Sequence, residues 1–204
     1  KMYWEKFYKK VRKKRLSRSK FADFVLKKIN KNYKLINFGC GDGRDSFYFA
    51  KYIKKTIGID SCRYVIKENN LTKNKNIQFL NYNVQNKNLY LKLKKIISPE
   101  SKNNVYARFF LHTLNNKQIR NFLLIAKKII KRNGSIFIEY RTEKDKKNQK
   151  IFKNHYRNFI NPKNLENILI KLNLKSIFFK EGKGMAKYKN EDAFVARHII
   201  KLEA

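Results

Sequence analysis

Residues 35–43 read Leu-Ile-Asn-Phe-Gly-Cys-Gly-Asp-Gly, and this stretch decides the fold. A short apolar run that ends in alternating glycines is typical of a buried strand followed by a tight turn. Gly39, Gly41 and Gly43 leave the backbone open to a ligand, because no Cβ atom blocks its approach. Apolar residues at helical spacing follow within residues 44–53, so the sequence predicts a strand, a glycine turn and a helix.

An acid ends the second predicted strand, residues 56–60. Asp60 follows the glycine turn by about twenty residues, where a carboxylate can accept two hydrogen bonds from a ribose diol. The glycines are spaced G-x-G-x-G instead of the dinucleotide pattern G-x-G-x-x-G. The next residues, Arg44-Asp45-Ser46, suit a helix N-terminus that meets a carboxylate better than one that meets a pyrophosphate. The pattern predicts an adenosine nucleoside pocket and favours S-adenosylmethionine over NAD.

The rest of the chain alternates short apolar runs with amphipathic segments. Two helices are predicted within residues 1–31, a helix over 116–131 and another that begins at Pro162. Further strands are predicted at 77–80, 105–111, 135–140, 176–180 and 193–200, while 89–97 has no clear assignment. We expect an α/β, Rossmann-like fold with a seven-stranded, mostly parallel sheet and helices on both faces. The length predicts one domain, 1–204, with an N-terminal helical cap over 1–31 and the core over 32–204.

The composition is strongly basic, with 50 Lys and Arg against 15 Asp and Glu, a formal charge of +35. Such a charge attracts nucleic acid, anionic lipid or a phosphorylated small molecule. The excess is mostly Lys and comes with many Asn and Ile, so an AT-rich genome accounts for it equally well. Cys40 and Cys62 form no C-x-x-C pair, which indicates neither a disulfide framework nor a metal site. No membrane-length apolar run or signal peptide is evident, so we expect a cytoplasmic protein.

Residues 37–46 and 59–61 resemble motif I and the following acid of class I S-adenosylmethionine-dependent methyltransferases. Six further stretches, 3–8, 21–22, 106–112, 139–141, 155–157 and 184–186, resemble a bacterial subgroup often found with surface-polysaccharide genes. The resemblance implies S-adenosylmethionine as cofactor and S-adenosylhomocysteine as product.

The resemblance also implies roles for single residues of the glycine turn and its neighbours. Gly39, Cys40 and Gly41 would line the cofactor, Asp60 would bind its ribose, and Asn83 would meet the adenine edge. Two positions depart from the family pattern: Asn37 replaces a common acid, and Asn83 replaces an Asp but can still accept a hydrogen bond. The full predicted cofactor-binding set is Asn37, Gly39, Cys40, Gly41, Arg44, Asp45, Asp60, Ser61, Asn83, Val84 and Arg108.

A second set of polar residues follows the later strands, at the sheet edge where ligands bind in open α/β folds. Guanidinium groups bind phosphate or carboxylate bidentately, so this set predicts a small anionic acceptor. Its predicted catalytic residues are His112 and Glu139, although Glu139 could equally pair with Arg108 and His112 could cap a helix. The predicted substrate-binding residues are Arg108, His112, Arg141, His155 and Arg157.

Three functions remain open at this point. The first is O-methylation of a small anionic or sugar-type acceptor linked to surface glycan biosynthesis. The second is methylation of RNA, which the basic charge favours, although the sequence shows no RNA-binding accessory domain or RNP-like strand. The third is a non-catalytic cofactor-binding module. Methyl transfer mainly requires positioning and exclusion of water, and a base is needed only when the acceptor must lose a proton.

Overall fold

The computed structural model describes residues 2–11, 17–86, 88–97, 101–131, 133–148, 150–151 and 155–203. Seven α-helices and nine strands lie within these described ranges, and two short 3₁₀ turns occupy Leu111–Thr113 and Glu143–Asp145. In chain order the elements are α1 (Met2–Val11), α2 (Lys20–Leu26), β1 (Lys34–Phe38), α3 (Arg44–Phe49), β2 (Thr56–Asp60), α4 (Arg63–Asn70), β3 (Ile77–Asn81), α5 (Leu89–Ile96), β4 (Asn103–Arg108), α6 (Asn116–Ile130), β5 (Ile136–Arg141), α7 (Pro162–Ile170), β6 (Leu174–Gly182), β7 (Lys187–Tyr188), β8 (Glu191–Asp192) and β9 (Val195–Leu202).

Seven strands form one sheet in the order β3-β2-β1-β4-β5-β9-β6, and β7 with β8 forms a separate hairpin. The strands from β3 to β5 are mutually parallel, whereas β9 runs antiparallel to both β5 and β6. The predicted Rossmann-like, mostly parallel seven-stranded sheet is therefore confirmed. The chain winds in opposite directions from β1 and β4, which makes their carboxyl ends the switch point where such sheets bind ligands.

Helices cover both faces of the sheet because side chains alternate along each strand. Ile36 of β1 faces a core formed with α5, α6 and α7, and the adjacent Leu35 faces a second core formed with α2 and α3. The long helix α6 begins at a capping box between Asn115 and Gln118, which satisfies its first backbone donors. These two cores fix the sheet edge that carries the site.

The structure corrects several predicted bounds. The strand predicted at 105–111 is β4, which begins at Asn103 and ends at Arg108. The next residue, Phe109, has a φ of 53°, a value that ends strand geometry for a bulky side chain. Helix α3 ends at Phe49, and α5 forms in the segment left unassigned. The closing strands are longer or shifted, with the β7–β8 hairpin between them. Of the segment 1–31 in which two helices are predicted, residues 1 and 12–16 lie outside the described residues.

The N-terminal helices are attached to the sheet at separate places. Ser19 caps α2 and donates two hydrogen bonds of 2.8 Å to Asp45, at the start of α3. Tyr106 donates a third bond of 2.7 Å to the same carboxylate. Helix α1 packs through Tyr8 on the cluster formed by α4 and β3. The division into a cap over 1–31 and a core stays a prediction, and within the described ranges no helix has the length and apolarity to cross a bilayer.

Candidate active site

The turn between β1 and α3 contains three glycines with left-handed backbone conformations. Gly39, Gly41 and Gly43 have φ values of 66°, 53° and 75°, a region that side chains strongly disfavour. A Cβ atom added at Gly39 would lie 2.6 Å from the ring of Phe110, and one at Gly41 would collide with the hydroxyl of Tyr8. The turn therefore requires glycine both for its backbone angles and for the close approach of neighbouring groups.

Asp60 at the end of β2 is fixed against this turn. Its Oδ2 accepts a hydrogen bond of 2.9 Å from the Gly41 amide, and its Oδ1 accepts one of 2.9 Å from the Cys62 amide. Burial raises the pKa of Asp60, while the amide donors of Cys62 and Gly41 oppose that rise. Asn69 of α4 donates a bond of 2.8 Å to the Gly41 carbonyl from the other side. The acid and the glycine turn are thus held in one orientation.

A cavity of about 560 Å³ opens beside the turn, at the carboxyl ends of the central strands. Its volume lies within the range of small-molecule sites, about 300–1,000 Å³. Among the described residues that line it, Asp60 is the only charged side chain. Aromatic rings supply much of the remaining wall, from Trp4, Tyr8, Phe38, Tyr82, Phe109, Phe110 and Tyr156.

Five of the predicted cofactor-binding residues line this cavity: Gly39, Asp60, Ser61, Asn83 and Val84. The Asn83 side-chain oxygen accepts a bond of 2.9 Å from the Gln85 amide, which sets the orientation of the side chain. The structure therefore brings the glycine turn, Asp60 and the segment after β3 to one space.

The other predicted cofactor-binding residues lie behind the cavity wall. Asn37 donates a bond of 2.8 Å to the Ser46 hydroxyl, which ties β1 to α3 beneath the turn. Asp45 is buried and bound to Ser19 and Tyr106, as described above. Cys40 and Gly41 are buried within the turn itself, Arg44 is half-buried at the start of α3, and Arg108 pairs with Glu139.

Arg108 and Arg141, at the carboxyl ends of β4 and β5, are engaged in buried ion pairs. Glu139 is fully buried, and it accepts from Arg108 Nε at 2.9 Å and from Arg197 Nε at 2.7 Å. Arg141 bonds to Asp145 at 2.6 Å and also pairs with Glu191. The pairing of Arg108 with Glu139 was one of the alternatives predicted from the sequence. The partners Arg197, Asp145 and Glu191 were not predicted.

We call Arg108, Arg141, Lys150, Arg157 and Arg197 the arginine cluster. His112 lies among them and is buried, and burial lowers its pKa well below the usual value. The positive charges of Arg141, Arg157 and Arg108 lower that pKa further, and the His155 ring also lies close enough to contribute. All five predicted substrate-binding residues are therefore close enough to interact. The Arg141 amide lies 3.4 Å from His112 Nδ1.

Phe109 separates the arginine cluster from the cavity. The guanidinium carbons of Arg108 and Arg141 lie 4.2 Å and 5.3 Å from its ring centroid, and the same side chain lines the cavity. On the opposite side, Trp4 of α1 lines the cavity while its ring lies 5.0 Å from that of His155. The cavity and the arginine cluster are thus neighbours that share walls, and no sequence-based prediction placed Trp4 or Tyr8 in the site.

Comparisons with known proteins agree with this geometry. Residues 4–180 match a family described as a methyltransferase domain. The search of curated proteins finds no match. A S-adenosylmethionine-dependent methyltransferase structure from Anabaena variabilis superimposes with a TM-score of 0.74 at 13% identity, covering 98% of this chain and 93% of that one. One from Clostridium acetobutylicum has a TM-score of 0.71 at 11% identity, with coverages of 100% and 99%.

A third structure was solved with ligands. The 1,6-didemethyltoxoflavin-N1-methyltransferase of Burkholderia thailandensis, with bound 1,6-didemethyltoxoflavin and S-adenosylhomocysteine, has a TM-score of 0.64 at 13% identity. The match covers 90% of this chain and 77% of that one. At these identities the structures share the fold, whereas the family match covers most of the chain. The chain therefore belongs to the methyltransferase domain family, within the class I S-adenosylmethionine-dependent methyltransferases that its sequence resembles.

Proposed function

We propose that this enzyme binds S-adenosylmethionine in the cavity and methylates a small molecule held beside the arginine cluster. The observation that carries the proposal is that Gly39 of the turn lines the cavity beside Asp60, whose carboxylate is fixed by the Gly41 amide. A methionine chain can lie against that turn, and Asp60 with Ser61 can accept the ribose hydroxyls. The cofactor supplies an electrophilic methyl group on a sulfonium.

The chemistry of the cavity wall suits this cofactor. The adenine would meet Asn83 and Val84, which line the same cavity. The sulfonium is a cation, and aromatic faces with one carboxylate attract a cation where arginines would repel it. Asn37, Cys40, Gly41, Arg44 and Asp45 would act by holding the turn and the start of α3 in place. The small acceptor bound by the Burkholderia enzyme supports a small molecule as substrate here.

The charge balance of the arginine cluster supports an anionic acceptor. Its five cations face four carboxylates, which are Glu139, Asp145, Glu191 and, beside Arg108, Asp45. One positive charge is therefore in excess, among side chains that are mostly less than one-sixth exposed. Buried excess charge is costly unless a counter-charge binds. A phosphate or carboxylate of a sugar-type acceptor, such as a precursor of a surface glycan, would supply that charge.

RNA is the second candidate acceptor, and the formal charge of +35 favours it. The experiment that separates the candidates has two parts. Calorimetry with S-adenosylhomocysteine tests the cofactor site, for which we expect a one-to-one complex. S-adenosylhomocysteine release is then measured with phosphorylated sugars, small carboxylates, neutral sugars and bulk RNA.

Turnover with phosphorylated sugars or carboxylates alone supports the small anionic acceptor. Turnover with RNA alone would instead support RNA, the second candidate, as the acceptor. A folded protein that binds no S-adenosylhomocysteine contradicts the cofactor site and with it the proposed function.

A further inference from the structure

Three carboxylates lie within the arginine cluster and are bound to its cations, whereas Asp45 beside Arg108 is bound by Ser19 and Tyr106. Both oxygens of Glu139 are occupied, one by Arg108 and the other by Arg197. A general base must offer a lone pair to the proton that it removes, within hydrogen-bond reach. Glu139 is fully buried and does not line the cavity, so its remaining lone pairs do not face an acceptor there. Two guanidinium groups also stabilise its charged form, which makes it a weak base. Glu139, predicted as a catalytic residue, is therefore placed to hold the two arginines.

The remaining two acids of the cluster are engaged in the same way. Asp145 accepts from Arg141, from Asn148 and from the Phe194 amide at 2.6–2.8 Å. Burial raises the pKa of Asp145, but these hydrogen bonds outweigh burial and hold it below its usual range. Glu191 pairs with Arg141 and accepts a bond of 2.9 Å from an amide of the neighbouring loop.

Lys150 is no better placed to act as a base. Its ammonium contacts the Asp145 and Asn148 carbonyls and lies 3.3 Å from the Asp145 carboxylate. Three acceptors thus surround the three protons of one ammonium group. Burial lowers the pKa of Lys150, and the Asp145 carboxylate opposes that shift.

His112 is oriented so that its Nδ1 lone pair is already used as a hydrogen-bond acceptor, and its other ring nitrogen is a donor. Its Nδ1 faces the Arg141 amide, which is a donor, so the single proton of the neutral ring lies on Nε2. Further protonation would place a cation among the arginines. His155, whose ring lies 4.8 Å from that of Tyr3, is the other imidazole beside the cluster, and the pH dependence below tests it.

Resting on the proposed function, we infer that the atom methylated is a phosphate or carboxylate oxygen that is already anionic when it binds. A lone pair of that oxygen attacks the methyl carbon, the carbon–sulfur bond breaks, and its electron pair stays on sulfur. The products are a methyl ester and S-adenosylhomocysteine, and no proton leaves the acceptor. The arginine cluster retains the acceptor by its other oxygens, and no base is required.

The experiment uses matched pairs of probes that differ in charge: phenyl phosphate with phenol, and benzoate with benzyl alcohol. Each probe is first titrated into the complex with S-adenosylhomocysteine by calorimetry. We expect the anions to bind at least about 30-fold more tightly than their neutral partners, from one buried charge-assisted contact. Arg157→Gln should weaken anion binding about tenfold or more and leave S-adenosylhomocysteine affinity within about twofold.

Turnover is then followed with S-adenosylmethionine labelled with ¹³C in its methyl group, in weakly buffered indicator solution. We expect methyl esters of the anionic probes, with phosphorus coupling to the methyl protons in the phosphate product. No proton should be released per S-adenosylhomocysteine formed from benzoate, or from phenyl phosphate above about pH 7.5, where it is a dianion. With benzoate, which stays ionised above about pH 5, the rate should be constant from about pH 5.5 to about pH 9.

Three results would overturn the inference while S-adenosylhomocysteine still binds. The first is transfer to the hydroxyl of phenol or benzyl alcohol with one proton released. The second is a rate of such hydroxyl transfer that falls below about pH 6.5, which would identify a histidine base. The third is that neither anionic probe binds or is methylated. Loss of S-adenosylhomocysteine binding itself would instead contradict the proposed function.

Discussion

Replacing Asp60 with alanine removes both oxygens that the structure fixes at the edge of the cavity. The carboxylate accepts from the Gly41 and Cys62 amides at 2.9 Å, and each oxygen retains a lone pair that can face a ribose hydroxyl. A hydrogen bond to a charged group contributes about 1.5–3 kcal/mol net. Two such bonds at the lower limit amount to about 3 kcal/mol, so the Kd for S-adenosylhomocysteine should rise about 100-fold.

Asp60→Asn should have a smaller effect on the same affinity, because the Asn side chain keeps one acceptor oxygen but carries no charge. We expect its Kd to rise about tenfold, between the wild type and Asp60→Ala. Glu203→Gln is the matched control, since this exposed carboxylate lies just beyond β9 and far from the turn in sequence. Isothermal titration calorimetry gives the three affinities, and circular dichroism melting shows that each variant is folded. A folded Asp60→Ala that binds within about threefold of wild type would refute the assignment of the ribose site.

Three further substitutions or conditions test the scaffold around the site. Ser19→Ala removes the side-chain cap of α2 and the hydroxyl donor to buried Asp45, while the backbone amide of residue 19 still donates. Urea unfolding should show a loss of about 2–3 kcal/mol, and no change would mean that Asp45 is satisfied otherwise. Burial lowers the pKa of His198 to about 4. The neutral ring therefore stabilises the fold fully above about pH 6.5, and the free energy of unfolding should fall by about 3 kcal/mol as the pH is lowered toward 4. His198→Asn should not show this dependence of unfolding free energy on pH. Arg141→Ala leaves two carboxylates, Asp145 and Glu191, without their guanidinium partner, so the free energy of unfolding should fall by about 3–5 kcal/mol. This loss of stability must be measured first, because an unfolded variant would also fail to use the acceptor.

The proximity of the glycine turn and Asp60 could be predicted from the sequence because that arrangement is local. The glycine turn and Asp60 belong to one strand–helix–strand unit, and the spacing between them follows from that unit alone. Their mutual hydrogen bond, from the Gly41 amide to Asp60, joins residues only 19 positions apart. Asn69, which holds the same turn from α4, carries no comparable signal because an Asn in a helix has many other uses.

The acceptor side depends on the register of strands that are distant in sequence. Arg197 meets Glu139 because β9 runs antiparallel to β5 with these two residues opposite each other, 58 positions apart. The end of β4 was misplaced for a related reason, since the apolar run continues through Phe109 without any turn residue. Its positive φ accompanies a bond of 2.8 Å to the Glu139 carbonyl and the stacking of two guanidinium groups on its ring. No local pattern contains these contacts.

The overall charge illustrates why composition is a poor guide to the site. A chain with 35 positive charges in excess has a cavity whose described lining carries one charged residue, an acid. Beside it, acids that are few in the chain are concentrated among arginines, so the local excess falls to a single positive charge. Surface lysines are screened strongly by salt, whereas buried ion pairs are screened much less. Binding of a small anion at the arginine cluster should therefore survive salt that abolishes attraction of nucleic acid to the surface, because the two forms of attraction arise from different charges.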